Sequence, residues 1–280
     1  MILSFHPIFE GDLNIICAGR DPDSNDLKTI KKARAVILPQ GCRKSLYVMA
    51  AGNCPHVFPD YRARFEFPGK TGQLELFKKT GVPYPKTQSF RDILSFKHQY
   101  PDPSALSKTF PFPLVFKFDW GGEGDAVFLI QSASELEHVL LKTARFEASG
   151  QKGFMVQEYI DTSPEILRVA VIGGTYTSYW RINEDPAIFT ANLSHNGIVD
   201  QDKHPGIQNK AVSMAKDFCK KTGINLAGFD FICNTNPLNR MPLFLEINYF
   251  FGRKGLGGSL RYYDLLTAEI RKWIVNLPDG

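Results

Sequence analysis

The chain has 280 residues, more than one compact core usually needs, so two or three subdomains are expected. Hydrophobic residues make up 43% and charged residues 22%, an ordinary folded composition that excludes extended disorder. The net charge of +4, from 33 basic and 29 acidic residues without a dense Lys/Arg run, is too mild to indicate nucleic-acid binding by charge.

The first sixty-odd residues alternate short apolar runs with helical stretches. Asn14–Cys17, Ala35–Leu38 and His56–Phe58 read as strands, with helices over Leu27–Arg34 and Ser45–Ala51 between them. This is a small α/β unit whose connections favour parallel pairing. Thr71–Thr80 has helical composition, ended by Gly81 with Pro83 and Pro85 beyond it. Ser89–Phe96 reads as another short helix, and the proline-rich stretch from Tyr100 to Pro113 as a boundary or exposed loop. Leu114–Phe118 and Ala126–Ile130 are strands flanking the turn-forming run Trp120–Asp125, and Ser134–Phe146 is helical. Phe154–Ile160, Leu167–Ile172 and Thr175–Ile182 are strands, the last two paired across Gly173-Gly174. Pro205–Thr222 is an amphipathic helix, Leu226–Cys233 and Pro242–Tyr249 form a strand pair, and Ser259–Val275 is the last helix. Five cysteines, odd in number and without a C-x-x-C pair, fit reduced buried thiols better than disulfides or structural zinc. No signal-peptide pattern or membrane-length apolar run is read, so a cytoplasmic location is expected.

The last strand pair carries the strongest local chemistry. Glu246 and Asn248 are two apart on a strand and share a face. Asp230 is the one polar residue of Gly228–Ile232, and closure of the hairpin brings it opposite residue 245 or 246, depending on register. Two carboxylates and an amide oxygen on one patch make an oxygen-only set of the kind Mg²⁺ takes. The bland reading is a half-solvated strand face; against it stands the cost of burying unpaired carboxylates in apolar runs.

Lys117 sits near the end of an apolar strand, just before a glycine-rich loop, where it could hold a phosphate as a point charge. Backbone N–H groups of Gly121, Gly122 and Gly124, with Glu123 among them, could approach phosphate oxygens closely. The bland reading here is a hairpin turn with an exposed lysine. The loop is not a Walker A motif: Gly69-Lys70-Thr71 supplies the tail, but the earlier glycine would fall at Arg64. It joins two strands, which suits a flap and not a dinucleotide-binding turn.

In order, a lysine opens a helix ending in Gly-Val-Pro-x-Pro; then come the strand lysine and flap, Gln157-Glu158-Tyr159-Ile160, Arg168 before Val-x-Val-Ile-Gly-Gly, the Ala-Gly-Phe-Asp strand and the Glu-Ile-Asn strand. This succession resembles the ATP-grasp superfamily, and within it the RimK-like glutamate ligase and glutathione synthetase branch. The likeness runs from about Lys70 to Gly258. It implies an α+β fold in which two subdomains clasp ATP, preceded by a small Rossmann-like α/β domain. The boundaries implied are residues 1–67 for that first domain and 68–280 for the ATP-grasp domain, with a lid at about 110–160.

The resemblance further implies that Lys70 and Lys117 bind phosphates, that Gly121, Gly122, Glu123 and Gly124 form the flap, and that Gln157–Ile160 is the adenine hinge. Glu165 matches a ribose contact, Arg168, Arg181 and Asn192 the reactive cleft, and Asp230, Glu246 and Asn248 the metal ligands. The cofactors implied are ATP and two Mg²⁺ ions, for which Mn²⁺ can substitute. The activity implied is ligation of a carboxylate to an amine or thiol through an acyl phosphate, with amino-acid or peptide-like substrates and no nucleic acid or membrane partner. A homo-oligomer stays open, as do a catalytically idle ATP-binding module and a small-molecule kinase on the same fold. The chain departs from the family's pattern at Thr190, where an arginine is usual, at Asn196-Gly197 for a glycine pair, with His195 before it, and at Phe250-Phe251-Gly252 for Ser-Pro-Gly. The ATP half thus resembles the family more closely than the acceptor half.

Overall fold

A computed structural model describes residues 1–17, 19–121, 126–162, 165–183, 197–236 and 240–278. The N-terminal part is built from β1 (Ile2–Ser4), β2 (Leu13–Asn14), α1 (Ser24–Ile30), β3 (Ala35–Ile37), α2 (Lys44–Asn53), β4 (Val57–Phe58) and α3 (Arg62–Glu66). Its four strands lie in the order β2-β1-β3-β4, all pairings parallel. The strand expected at Asn14–Cys17 is instead Leu13–Asn14, and β1, which alternation in so short a segment does not announce, occupies the second position of the sheet. Asp23 caps α1 and forms a reciprocal capping pair with Asp26, which fixes where that helix begins.

Helix α4 (Gly69–Thr80) leads to β5 (Thr87–Phe90), α5 (Ile93–Gln99), α6 (Pro103–Thr109), β6 (Leu114–Phe118), β7 (Val127–Ile130), α7 (Ala133–Ala148) and β8 (Phe154–Glu158). The sheet order here is β5-β8-β6-β7. Two expectations are corrected. Ser89 and Phe90 belong to a strand, because Asp92 caps a helix that starts only at Ile93 and Ser95 completes its capping box. The proline-rich connector contains α6, with Pro103 in the first turn, where its missing N–H costs nothing. One face of this sheet (Phe90, Leu114, Phe116, Phe118, Phe154, Val156) is buried against Phe96, Leu106, Leu136 and Val139 of its helices. Strand alternation therefore turns Val115, Lys117, Met155 and Gln157 to the other face.

The third sheet contains β9 (Glu165–Ile172), β10 (Thr175–Ile182), β11 (Ile198–Asp200), β12 (Leu226–Ile232) and β13 (Leu243–Asn248), in the order β11-β10-β9-β12-β13, all antiparallel. Helix α8 (Pro205–Thr222) covers one face through Ala211, Ala215 and Phe218, packed on Leu167, Val169, Phe229 and Phe231. On the other face, Ala170, Ile172, Tyr179 and Leu226 pack against Tyr262, Leu266 and Ile270 of α9 (Ser259–Val275) and against Ile37 and Phe58 of the parallel sheet. Among the described residues, no helix is long and apolar enough to cross a membrane, and no cluster of three or more His, Cys, Asp or Glu suits a metal. All five cysteines are buried free thiols.

Candidate active site

The hairpin of β12 and β13 settles the register that the sequence left open. Asp230 pairs with Glu246 and Gly228 with Asn248, while a bulge after Asp230 places Phe231 opposite Phe244. Asp230 also faces Arg168 on its other neighbour, β9. Asp230, Glu246, Asn248 and Arg168 therefore share the face opposite α8. Arg181 reaches the same point from β10.

Asp230 is 4% exposed, yet its carboxyl stays below the usual carboxylate range. Burial alone would raise it; Arg168, Arg181 and Asn248 outweigh that effect. Arg168 donates through Nε to Oδ1 and through Nη2 to Oδ2, both at 2.7 Å, a bidentate pair. Arg181 Nη1 lies 3.3 Å from Oδ2, and Asn248 Nδ2 donates to the same oxygen at 3.0 Å. Glu246 differs: it accepts no hydrogen bond among the described residues. Burial and the neighbouring Asp230 charge raise its pKa, while Lys70, Lys117 and Arg168 pull against them.

Across the cleft, Lys117 is 8% exposed. Burial lowers its pKa to about 8, the field of Glu246 opposes the shift, and Lys70 adds to it. The lysine of one sheet and the carboxylate of another thus feel each other across the gap. Lys70 donates to the Gly121 carbonyl at 2.9 Å, at the root of the glycine-rich run. Gly122, Glu123, Gly124, Thr190, Asn192, His195 and Asn196 lie outside the described residues.

Of the expected hinge, Gln157 is buried and its Nε2 donates to Thr87 Oγ1 at 2.8 Å, while Glu158 accepts from the Lys86 N–H at 2.6 Å. Tyr159 and Ile160 follow the end of β8, half-buried. Glu165 does not stand free: Lys203 Nζ is 2.5 Å from its Oε1. Lys70, Lys117, Arg168, Arg181, Asp230, Glu246 and Asn248 are thus brought within each other's electrostatic reach.

A divalent cation is tested by the open oxygens. The half-buried Glu246 carboxylate and Asn248 Oδ1 accept no hydrogen bond among the described residues, which leaves their oxygens open to a cation. Both oxygens of Asp230 are already taken by Arg168. The set fits a hard cation at Glu246 and Asn248, with Asp230 sharing an oxygen from behind.

Two residues that sequence reasoning missed support this site. Asp119, two residues after Lys117, accepts from the Thr71 N–H at 2.7 Å. Gln73 pairs its amide with the backbone of Ile247, donating to its carbonyl at 2.9 Å and accepting from its N–H at 2.8 Å. The only local sign of the first is an acid placed between a strand lysine and a glycine run; the second has none.

The chain matches the model of a RimK-like ATP-grasp domain over residues 70–263. No curated protein matches it by sequence. Among solved structures, a RimK-domain ATP-grasp protein from Sphaerobacter thermophilus superposes with a TM-score of 0.63 at 12% identity, over 96% of this chain and 98% of the other. A D-alanine–D-alanine ligase from Bacillus anthracis gives 0.60 at 13% identity, over 94% of this chain and 84% of the ligase. Carboxyaminoimidazole ribonucleotide synthase from Aspergillus clavatus, complexed with ATP, gives 0.58 at 14% identity, over 92% of this chain and 64% of the synthase. At such identities these likenesses concern the fold: the paired α+β halves expected from the sequence are those of ATP-grasp proteins. The family model spans more than half of the residues, and the chain belongs to the RimK-like ATP-grasp family.

Proposed function

We propose that this chain joins a carboxylate to an amine or thiol at the expense of ATP, through an acyl phosphate, releasing ADP and phosphate. The observation that carries the reading is the facing of Lys117 and Glu246 across the cleft, with Lys70, Arg168, Arg181, Asp230 and Asn248 around them. Four cations against two carboxylates leave an excess of positive charge suited to a polyphosphate. On this reading residues 68–280 handle the nucleotide, with 110–160 as the lid, and 1–67 form the preceding domain.

Positioning and charge neutralisation dominate such a phosphoryl transfer, since little covalent help is needed from the protein. Lys70 and Lys117 hold phosphate oxygens from the lid side. Arg168 and Arg181, fastened to Asp230, present fixed positive charge from the floor without reorganising. Gln157, Glu158, Tyr159 and Ile160 border the base and Glu165 the ribose. Glu246 and Asn248, with Asp230 behind, would hold magnesium, which when bound neutralises charge on the phosphate oxygens. The carboxylate oxygen attacks the γ-phosphorus and ADP leaves; the amine or thiol then attacks the acyl carbon, phosphate leaves and the acceptor's proton is lost. Amino-acid or peptide-like substrates are the class we favour. The test is a screen of carboxylate and amine or thiol pairs for ADP release. Release that requires both partners supports ligation, and release indifferent to the second partner contradicts it.

A further inference from the structure

Among the described residues the three sheets are separate, so the width of the cleft depends on what fastens them. Much of that fastening lies within five residues of one helix. Asp119 follows β6 and its carboxylate receives the Thr71 N–H at the start of α4. The fit is close: a Cβ at Gly69, whose φ is +70°, would stand 2.7 Å from Asp119 Oδ1. A side chain there is therefore excluded twice, by conformation and by contact. One residue on, Lys70 reaches the Gly121 carbonyl, two residues beyond Asp119.

Three residues further, nearly one turn of the helix, Gln73 reaches a different sheet. Strand β13 is the outer strand of its sheet, and its edge offers unpaired backbone groups. The Gln73 amide takes both groups of Ile247, acting as a one-residue strand. Ile247 lies between Glu246 and Asn248. The first turn of α4 is thus bound at one end to the strand of Lys117 and at the other to the strand of the proposed metal ligands.

We propose that Gln73 and Asp119 are positioning residues that together set the separation of Lys70 and Lys117 from Glu246 and Asn248. This rests on the functional reading above. Each side chain holds backbone next to residues of the proposed site, Asp119 that of Thr71 and Gln73 that of Ile247. Small displacements of such groups are expensive, because charge stabilisation and orientation depend on sub-ångström placement.

The experiment is calorimetric titration of the full chain with ATP in the presence of Mg²⁺, beside thermal melts. Gln73→Met keeps the length of the side chain and removes both hydrogen bonds; Asp119→Ala removes the fastening of α4. Each is expected to weaken binding about tenfold while the chain melts within a few degrees of wild type. Asp119→Asn keeps an acceptor for Thr71 and should restore most of the affinity. Gln73→Glu keeps the acceptor for the Ile247 N–H but loses the donor, and should fall between. Lowered melting temperatures with unchanged affinity in Gln73→Met and Asp119→Ala mean a merely structural role and overturn the inference. A wild-type chain that does not bind Mg·ATP overturns the functional reading itself, and this inference with it.

Discussion

Arg168 and Asp230 face each other across β9 and β12, and the guanidinium uses Nε and Nη2 to satisfy both carboxylate oxygens at 2.7 Å. The acid is therefore more than a metal ligand in waiting. It compensates Arg168 and, through its 3.3 Å contact, Arg181, both buried. Removing one member of such a buried pair leaves an uncompensated charge, at a cost of about 3–5 kcal/mol.

It follows that the two acids and the amide of the proposed metal patch should divide under mutation. Asp230→Ala should lose about 3 kcal/mol or more of stability, read by chemical denaturation. Glu246→Gln should melt near the wild-type temperature, because the carboxylate it removes is half-buried and accepts no hydrogen bond among the described residues. Its Mg²⁺-dependent turnover should nevertheless disappear, as should that of Asn248→Ala with a native circular dichroism spectrum. Wild-type turnover of either variant at limiting Mg²⁺ is incompatible with their assignment as ligands.

Lys117 makes the site sensitive to pH. Its pKa is lowered to about 8 by burial. In the proposed site phosphate binds the protonated amine, so binding should be strong below that value and weaken as pH rises through it. Affinity for Mg·ATP measured from pH 6.5 to 9.5 should fall above about pH 8, and Lys117→Arg should move the fall to higher pH, since guanidinium stays charged. A flat profile for the wild-type chain excludes Lys117 from the phosphate site.

Gly255 supports the arginine from a distance. A Cβ there would stand 2.2 Å from Cε2 of Tyr179, whose ring is fully buried and whose residue pairs with Arg168 across β9 and β10. Gly255→Ala should cost about 1–3 kcal/mol by overpacking and weaken Mg·ATP binding as Tyr179 presses on Arg168. A variant with native stability would mean that the 3-10 turn at Lys254–Leu256 yields more easily than the packing suggests.

Long periodic elements were legible in the sequence. Leu114–Phe118, Thr175–Ile182, Pro205–Thr222 and Ser259–Val275 stand where their patterns place them, because tertiary context and local preference agree there. Thr87–Phe90 was not legible, since an edge strand with the sequence Thr-Gln-Ser-Phe lacks alternation, and helix α6 was hidden by its prolines. Asp230, Glu246 and Asn248 could be grouped because a hairpin is a local object. The pairing of Asp230 with Arg168 could not, because it depends on β12 lying beside β9, a fact of sheet order. Gln73 and Asp119 act on partners 174 and 48 residues away, and no local pattern announces such contacts.

In the proposed mechanism a substrate carboxylate attacks the γ-phosphorus of ATP. The decisive measurement, once a ligated pair is found, is incubation with substrate labelled with ¹⁸O in the carboxyl group. ADP and inorganic phosphate are expected, one of each per ligation and with no AMP, and one labelled oxygen in the phosphate, because the acyl–oxygen bond breaks when the acceptor attacks. Unlabelled phosphate beside ADP would mean that water attacked ATP, and AMP with pyrophosphate would mean attack at the α-phosphorus; either result contradicts the acyl-phosphate mechanism.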